Sequence, residues 1–134
     1  MVDFDKLNRI RELMDERDRV VREIRKITCE RAMSNESMAC IFGALTAIGI
    51  ERDAKLFILI YMNSPEILVG RKMRKGLRNI LACLFGMNSG SAISIRCRNL
   101  MVLYNNYSGF RKDVERGLEK ATEILQTMEN KSQH

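Results

Sequence analysis

The chain has 134 residues, enough for one domain that buries roughly two thirds of the surface its unfolded form exposes. Its 46% apolar and 30% charged residues exclude a disordered chain, and its longest apolar run, Leu56 to Met62, falls far short of the roughly 20 residues that cross a bilayer. With 23 Lys and Arg against 17 Asp and Glu, the net charge of +6 suits a polyanionic partner such as nucleic acid, and equally suits a basic protein that binds nothing charged.

From Phe4 to Ala32 there is no Gly or Pro, and Leu7, Ile10, Met14, Val21, Ile24 and Thr28 keep a near-heptad spacing that Leu13, Val20 and Ile27 widen. The pattern predicts one long helix over residues 4–33, capped by Asp3 or Asp5 and carrying charges of alternating sign on its flanks. "SNES" at Ser34 to Ser37 supplies a break and a second cap. A short apolar helix is expected from Met38 to Ile48, stopped at Gly49.

"ERDAKLFILIYM", Glu51 to Met62, could form a buried strand by its apolar run. The helix-forming lead-in and the lack of a second strand to pair with favour a helix buried on most sides. Pro65 suits the first turn of the next helix, "EILVGRKMRKGLRNILACLF", in which Met73, Leu77, Ile80, Leu81 and Leu84 occupy one side. Arg71, Lys72, Arg74, Lys75 and Arg78 spread over the other side. "GMNSGS", Gly86 to Ser91, is a joint, "AISIRCRNLMVLYNN" a further helix, and the chain closes on an amphipathic helix over 107–129. Its stripe runs through Tyr107, Phe110, Val114, Leu118, Ala121, Leu125 and Met128. The fold class expected is all-α, a single-domain antiparallel bundle of about five to six helices spanning 1–134, without internal repeats.

Cys29, Cys40, Cys83 and Cys97 make no close pair, and the opening "MVDFDKLNRIREL" is charged from its third residue and does not resemble a secretory leader. The thiols are expected to be buried in a protein of a reducing compartment, the cytoplasm with the nucleus as a second place. The single His, at position 134, leaves neither a zinc site nor a Cys-His catalytic pair. "GMNSGS" lacks the Lys of a phosphate-cradling P-loop. The acids come as surface neighbours, such as Asp15, Glu16 and Asp18, or Glu51 and Asp53. No catalytic residue, metal or cofactor is expected, and no membrane partner.

The stretch from Gly70 to Arg98 contains no Asp or Glu. Clustered cations without acidic neighbours are the footprint of phosphate-backbone binding, and a charged solvent face is the plainer alternative. The nucleic-acid-binding candidates are Arg71, Lys72, Arg74, Lys75 and Arg78, with Arg22, Arg25 and Lys26 of the first helix; Arg96 and Arg98 add charge later. The aromatics near the basic segments, Phe85, Tyr104 and Tyr107, are assigned to the core, so binding would rest on backbone charge and not on base stacking.

"RDRVVREIRKITCERA" in the opening helix and "YSGFRKDVE" at Tyr107 to Glu115 resemble the translin family, all-helical proteins that assemble into barrel-like octamers and bind single-stranded RNA and DNA. "LIYMNSPEILVG" at Leu59 to Gly70 is faintly similar to that family's mid-chain helix-turn-helix. The resemblance implies a shortened member, a homo-oligomer that binds single-stranded nucleic acid, alone or alongside a related helical subunit. The RNA-cutting partner subunits carry acidic residues where this chain has "AKLFILIYM", so the role implied is the non-catalytic one. Two other readings stay open: a helical assembly or adaptor module whose apolar stripes bind another protein, and an enzyme. The enzyme reading has two forms, a metal-dependent nuclease and a mutase, since "LNRIRELMDERDRVVREIRKI" is loosely similar to the opening helix of the all-helical chorismate mutases.

Overall fold

Side-chain periodicity is answered by helices throughout the structure, a computed structural model that describes residues 1–27 and 33–132. In chain order these are α1 (Phe4–Ile27), α2 (Asn35–Ala47), α3 (Arg52–Asn63), a 3-10 turn (Pro65–Val69), α4 (Lys75–Leu84), α5 (Gly90–Cys97), α6 (Leu100–Asn106) and α7 (Ser108–Ser132). Among the described residues there is no strand, so the fold is all-α and the strand reading of residues 56–62 is excluded.

The expected stops act where the backbone chemistry puts them. Ser34 is extended, and its Oγ accepts the Ser37 N–H at 3.1 Å, which caps α2 and holds residue 34 out of any helix. Met33 donates its N–H to Asn63 Oδ1 at 3.1 Å instead of to a helical carbonyl. The first helix therefore does not run to residue 33; residues 28–32, with Cys29, lie outside those described. Gly49 ends α2's overhang with φ +76°, a conformation that costs glycine no Cβ clash.

α3 is the centre of the bundle. Leu56, Phe57, Ile58, Leu59 and Ile60 are all buried in succession, which a helix achieves only when several elements surround it. α2, α5, α6, α7 and the 3-10 turn do so, and α4 packs on α2 and α5. Full burial of each aliphatic side chain contributes about 1.5–3 kcal/mol, so this one helix carries a large share of the core. From α7 come Phe110, Val114 and Ala121, buried, with Leu118, Leu125 and Met128 half-buried. Tyr107 falls before the helix and is 60% exposed, outside the stripe and outside the core to which it was assigned. Phe85 is buried edge-on against Phe42, and Tyr104 is half-buried, stacked 5.1 Å from Phe57.

Three expectations are corrected. "AISIRCRNLMVLYNN" is two helices, α5 and α6, parted by a tight turn at Arg98 and Asn99. The thiols are not uniformly buried: Cys40 and Cys83 are exposed because they stand on the outer sides of α2 and α4, opposite Met38 and Leu81. Cys97 is half-buried, and burial pushes its thiol up to about 11. The third is the single helix expected through "EILVGRKMRKGLRNILACLF": the 3-10 turn ends at Val69 and α4 begins only at Lys75. On α1 and the residues before it, every residue from Met1 to Val20 is exposed, including Leu7, Ile10, Leu13 and Met14.

Candidate nucleic-acid interface

The basic segment is not one helix face. Pro65 opens a 3-10 turn that Gly70 closes at φ +108°, and the Arg71 N–H returns to the Glu66 carbonyl at 3.2 Å, satisfying the carbonyl end of the turn. Residues 71–74 then run without helix or strand, and Arg74 is extended as the residue preceding α4. Only Lys75 and Arg78 of the five cations belong to a helix. The physical reason is Gly70, whose left-handed backbone ends one turn and redirects the chain.

Met73, buried, anchors this irregular segment while Arg71, Lys72 and Arg74 on either side of it stay exposed. The result is a cleft of about 740 Å³ between the 3-10 turn, residues 70–73, Arg78 of α4, and α5. Ile67, Met73 and Cys97 line its apolar side. Its polar lining is Arg71, Lys72, Arg78 and Arg98 with the hydroxyls of Ser91 and Ser94, and no carboxylate lines it. Ser91 belongs to the first turn of α5, whose preceding residue Ser89 makes no side-chain cap, so the positive end of that helix adds to the four charges.

Arg78 is held in the wall of the cleft by the close approach of α4 to α5. Its Cγ lies 2.6 Å from where a Cβ on Gly90 would stand, and its Nε is buried without a hydrogen-bond acceptor among the described residues. An unpaired N–H in that setting is stabilised by an anion that reaches it.

Other cations are committed to the fold. Arg52 donates to the Phe85 carbonyl at 2.8 Å, Arg116 to that of Ile48 at 3.0 Å, and Arg111 to those of Tyr104 and Asn105 at 3.1 and 3.0 Å. These three guanidinium groups close the carbonyl ends of α4, α2 and α6. Arg96 pairs with Asp53 at 3.0 Å, bolting α5 to α3.

Of the expected contact residues, the structure brings Arg71, Lys72 and Arg78 together. Arg74 and Lys75 are exposed but do not line the cleft. Arg22 is exposed on α1 and does not line it either, while the side chains of Arg25 and Lys26 lie outside those described. Arg98, expected only as charge added to the basic set, lines the site with them, and Ser91 and Ser94 join it with no signal in the sequence that marks them. No aromatic side chain lines the cleft.

Among the described residues no three His, Cys, Asp or Glu side chains group as metal ligands, and no helix is long and apolar enough to cross a membrane. No protein-family model matches the chain, and neither a curated protein nor a solved structure is significantly similar to it.

Proposed function

We propose that the chain binds single-stranded RNA or DNA through the phosphate backbone, without catalysing a reaction, and that Arg71, Lys72, Arg78 and Arg98 make the contacts. The observation that carries this reading is the cleft in which four cations converge with no carboxylate among them. A flexible single strand can bend its phosphates into a concave site, whereas a duplex holds them on a convex surface. With no aromatic in the lining, sequence preference is weak, because bases are neither stacked nor read at their edges. The resemblance of residues 17–32 and 107–115 to the translin family supports the same reading, with the chain as a shortened relative in the cytoplasm or nucleus. Self-association, alone or with a related helical subunit, belongs to the proposal.

Anisotropy of labelled oligonucleotides over a salt series tests it. Four phosphate contacts on a single strand give a slope of log K against log salt near −3, about −0.7 for each. Replacing Arg71, Arg78 and Arg98 together by Ala lowers the slope by about 2 and the affinity at low salt with it. An unchanged slope sinks the proposal.

A helical adaptor without nucleic acid is the second reading. What favours it is the exposed apolar stripe of α1.

A further inference from the structure

The 24 residues of α1 make a rod about 36 Å long at 1.5 Å per residue, and its amino-terminal two thirds cover nothing in their own chain. Leu7, Ile10, Leu13, Met14 and Val20 are each more than two fifths exposed, and they fall on one side of the helix. A heptad seam of this kind is stable in water only when another helix covers it.

The charges identify the cover. Residues 3–18 hold Asp3, Asp5, Glu12, Asp15, Glu16 and Asp18 against Lys6, Arg9, Arg11 and Arg17, whereas residues 19–27 hold Arg19, Arg22, Arg25 and Lys26 against Glu23 alone. The excess acid lies mid-helix, in Asp15, Glu16 and Asp18 against Arg17, while residues 3–12 are balanced. Flanking a seam through Ile10, Met14, Arg17 and Val21, a parallel copy would set Lys6 beside Arg11, like on like, whereas an antiparallel copy sets Arg11 beside Asp18.

The register agrees. With Ile10, Met14, Arg17 and Val21 as the seam, an antiparallel copy that faces Ile10 with Val21 must also face Met14 with Arg17, since both pairs share one centre. The same centre brings Leu13 beside Val20 on one flank and Arg11 beside Asp18 on the other, an apolar pair and an ion pair, each made twice. Arg17, 3.6 Å from Asp18 in its own helix, is the one charge in the seam, and it penalises registers that set it against its own copy.

We propose that α1 is a self-association surface whose partner is α1 of a second copy, antiparallel and centred between Met14 and Arg17. This deepens the self-association part of the proposed function and does not depend on the cleft, so a chain that dimerises without binding nucleic acid, or binds it as a monomer, separates the two.

Sedimentation of the full chain over a concentration series gives twice the chain mass, or an even multiple of it. Ile10→Asp gives the monomer mass while the thermal transition of α2 to α7 stays in place, because Ile10 is exposed and outside that core. Asp18→Arg and Arg11→Asp each weaken the dimer by roughly tenfold through like-charge contacts, and the double variant recovers it. A monomer at every concentration, an oligomer indifferent to Ile10→Asp, or a double variant no tighter than the singles overturns the proposal.

Discussion

Arg78 and Gly90 share one volume: the Cγ, Cδ and Nε of the arginine lie 2.6, 2.8 and 2.8 Å from the point where a Cβ on Gly90 would stand. The guanidinium of α4 therefore reaches the cleft only because α5 opens on a residue without a side chain. Gly90→Ala adds about 1 kcal/mol of helix propensity and displaces the Arg78 stem, a flexible group that can swing away. The expected outcome is a melting temperature within a few degrees of the parent with oligonucleotide affinity reduced to that of Arg78→Ala; calorimetry and anisotropy on the same samples check it.

Gly117 makes the opposite case within α7. A Cβ there collides with Ile58 Cδ1 and sits 3.3 Å from Leu45 Cδ2, both in the fully buried core. Overpacking at such a site costs about 1–3 kcal/mol, more than the helix propensity gained. Gly117→Ala should lose about 1–2 kcal/mol in urea denaturation, with no change in the salt slope of binding.

Asn63 is buried at the end of α3, accepting the Met33 N–H and directing its Nδ2 at Met38 Sδ, 3.4 Å away. Removing the amide leaves a part-buried donor unpaired, at a cost of about 1–3 kcal/mol. Asn63→Ala is expected to lower the denaturation midpoint by that amount and to raise amide exchange at Met33 first.

The cysteines should separate by reactivity. Cys97, its thiol pushed up to about 11 by burial, holds about 100-fold less thiolate at pH 8 than a thiol at its ordinary value of 9.0. Iodoacetamide at pH 8 is expected to modify Cys40 and Cys83 well before Cys97, as mapped by peptide mass. Because the protonated form is the one the fold favours, the Cys97 contribution to stability is present below about pH 9 and lost as the pH rises through about 11.

Arg22 offers a control within the basic set. It stands on α1, away from the cleft lining, so Arg22→Ala should leave the salt slope unchanged where Arg98→Ala reduces it by about 0.7.

Much of the fold is legible in the residues. Ser34, Gly49 and Pro65 are stops with a stated chemistry, and each acts at its place; the 3.6-residue stripe of α7 buries Phe110, Val114 and Ala121 as its spacing requires. Gly70 was hidden because a glycine amid Arg and Lys reads as a pause in a helix, and only its positive φ shows that it ends one element and re-aims the next. The exposure of Cys40 and Cys83 and the bareness of α1 depend on which neighbours arrive, and periodicity gives the direction of a face without naming what covers it. The cleft was half legible for the same reason. Arg71, Lys72 and Arg78 are neighbours in the chain, whereas Ser91, Ser94 and Arg98 join them only through the return of α5 onto α4, which Gly90 permits.

The unhelical stretch after Gly70 bears on how the protein is cut. Trypsin needs several residues in extended form beside a cation, and Arg71, Lys72 and Arg74 are exposed on backbone that has already left the helix, whereas Arg9, Arg11 and Arg19 must first be unwound. On the proposed binding mode the strand and the protease compete for Arg71 and Lys72, so the fading of cleavage at these two cations, against that at Arg74 outside the cleft, reports occupancy of the cleft.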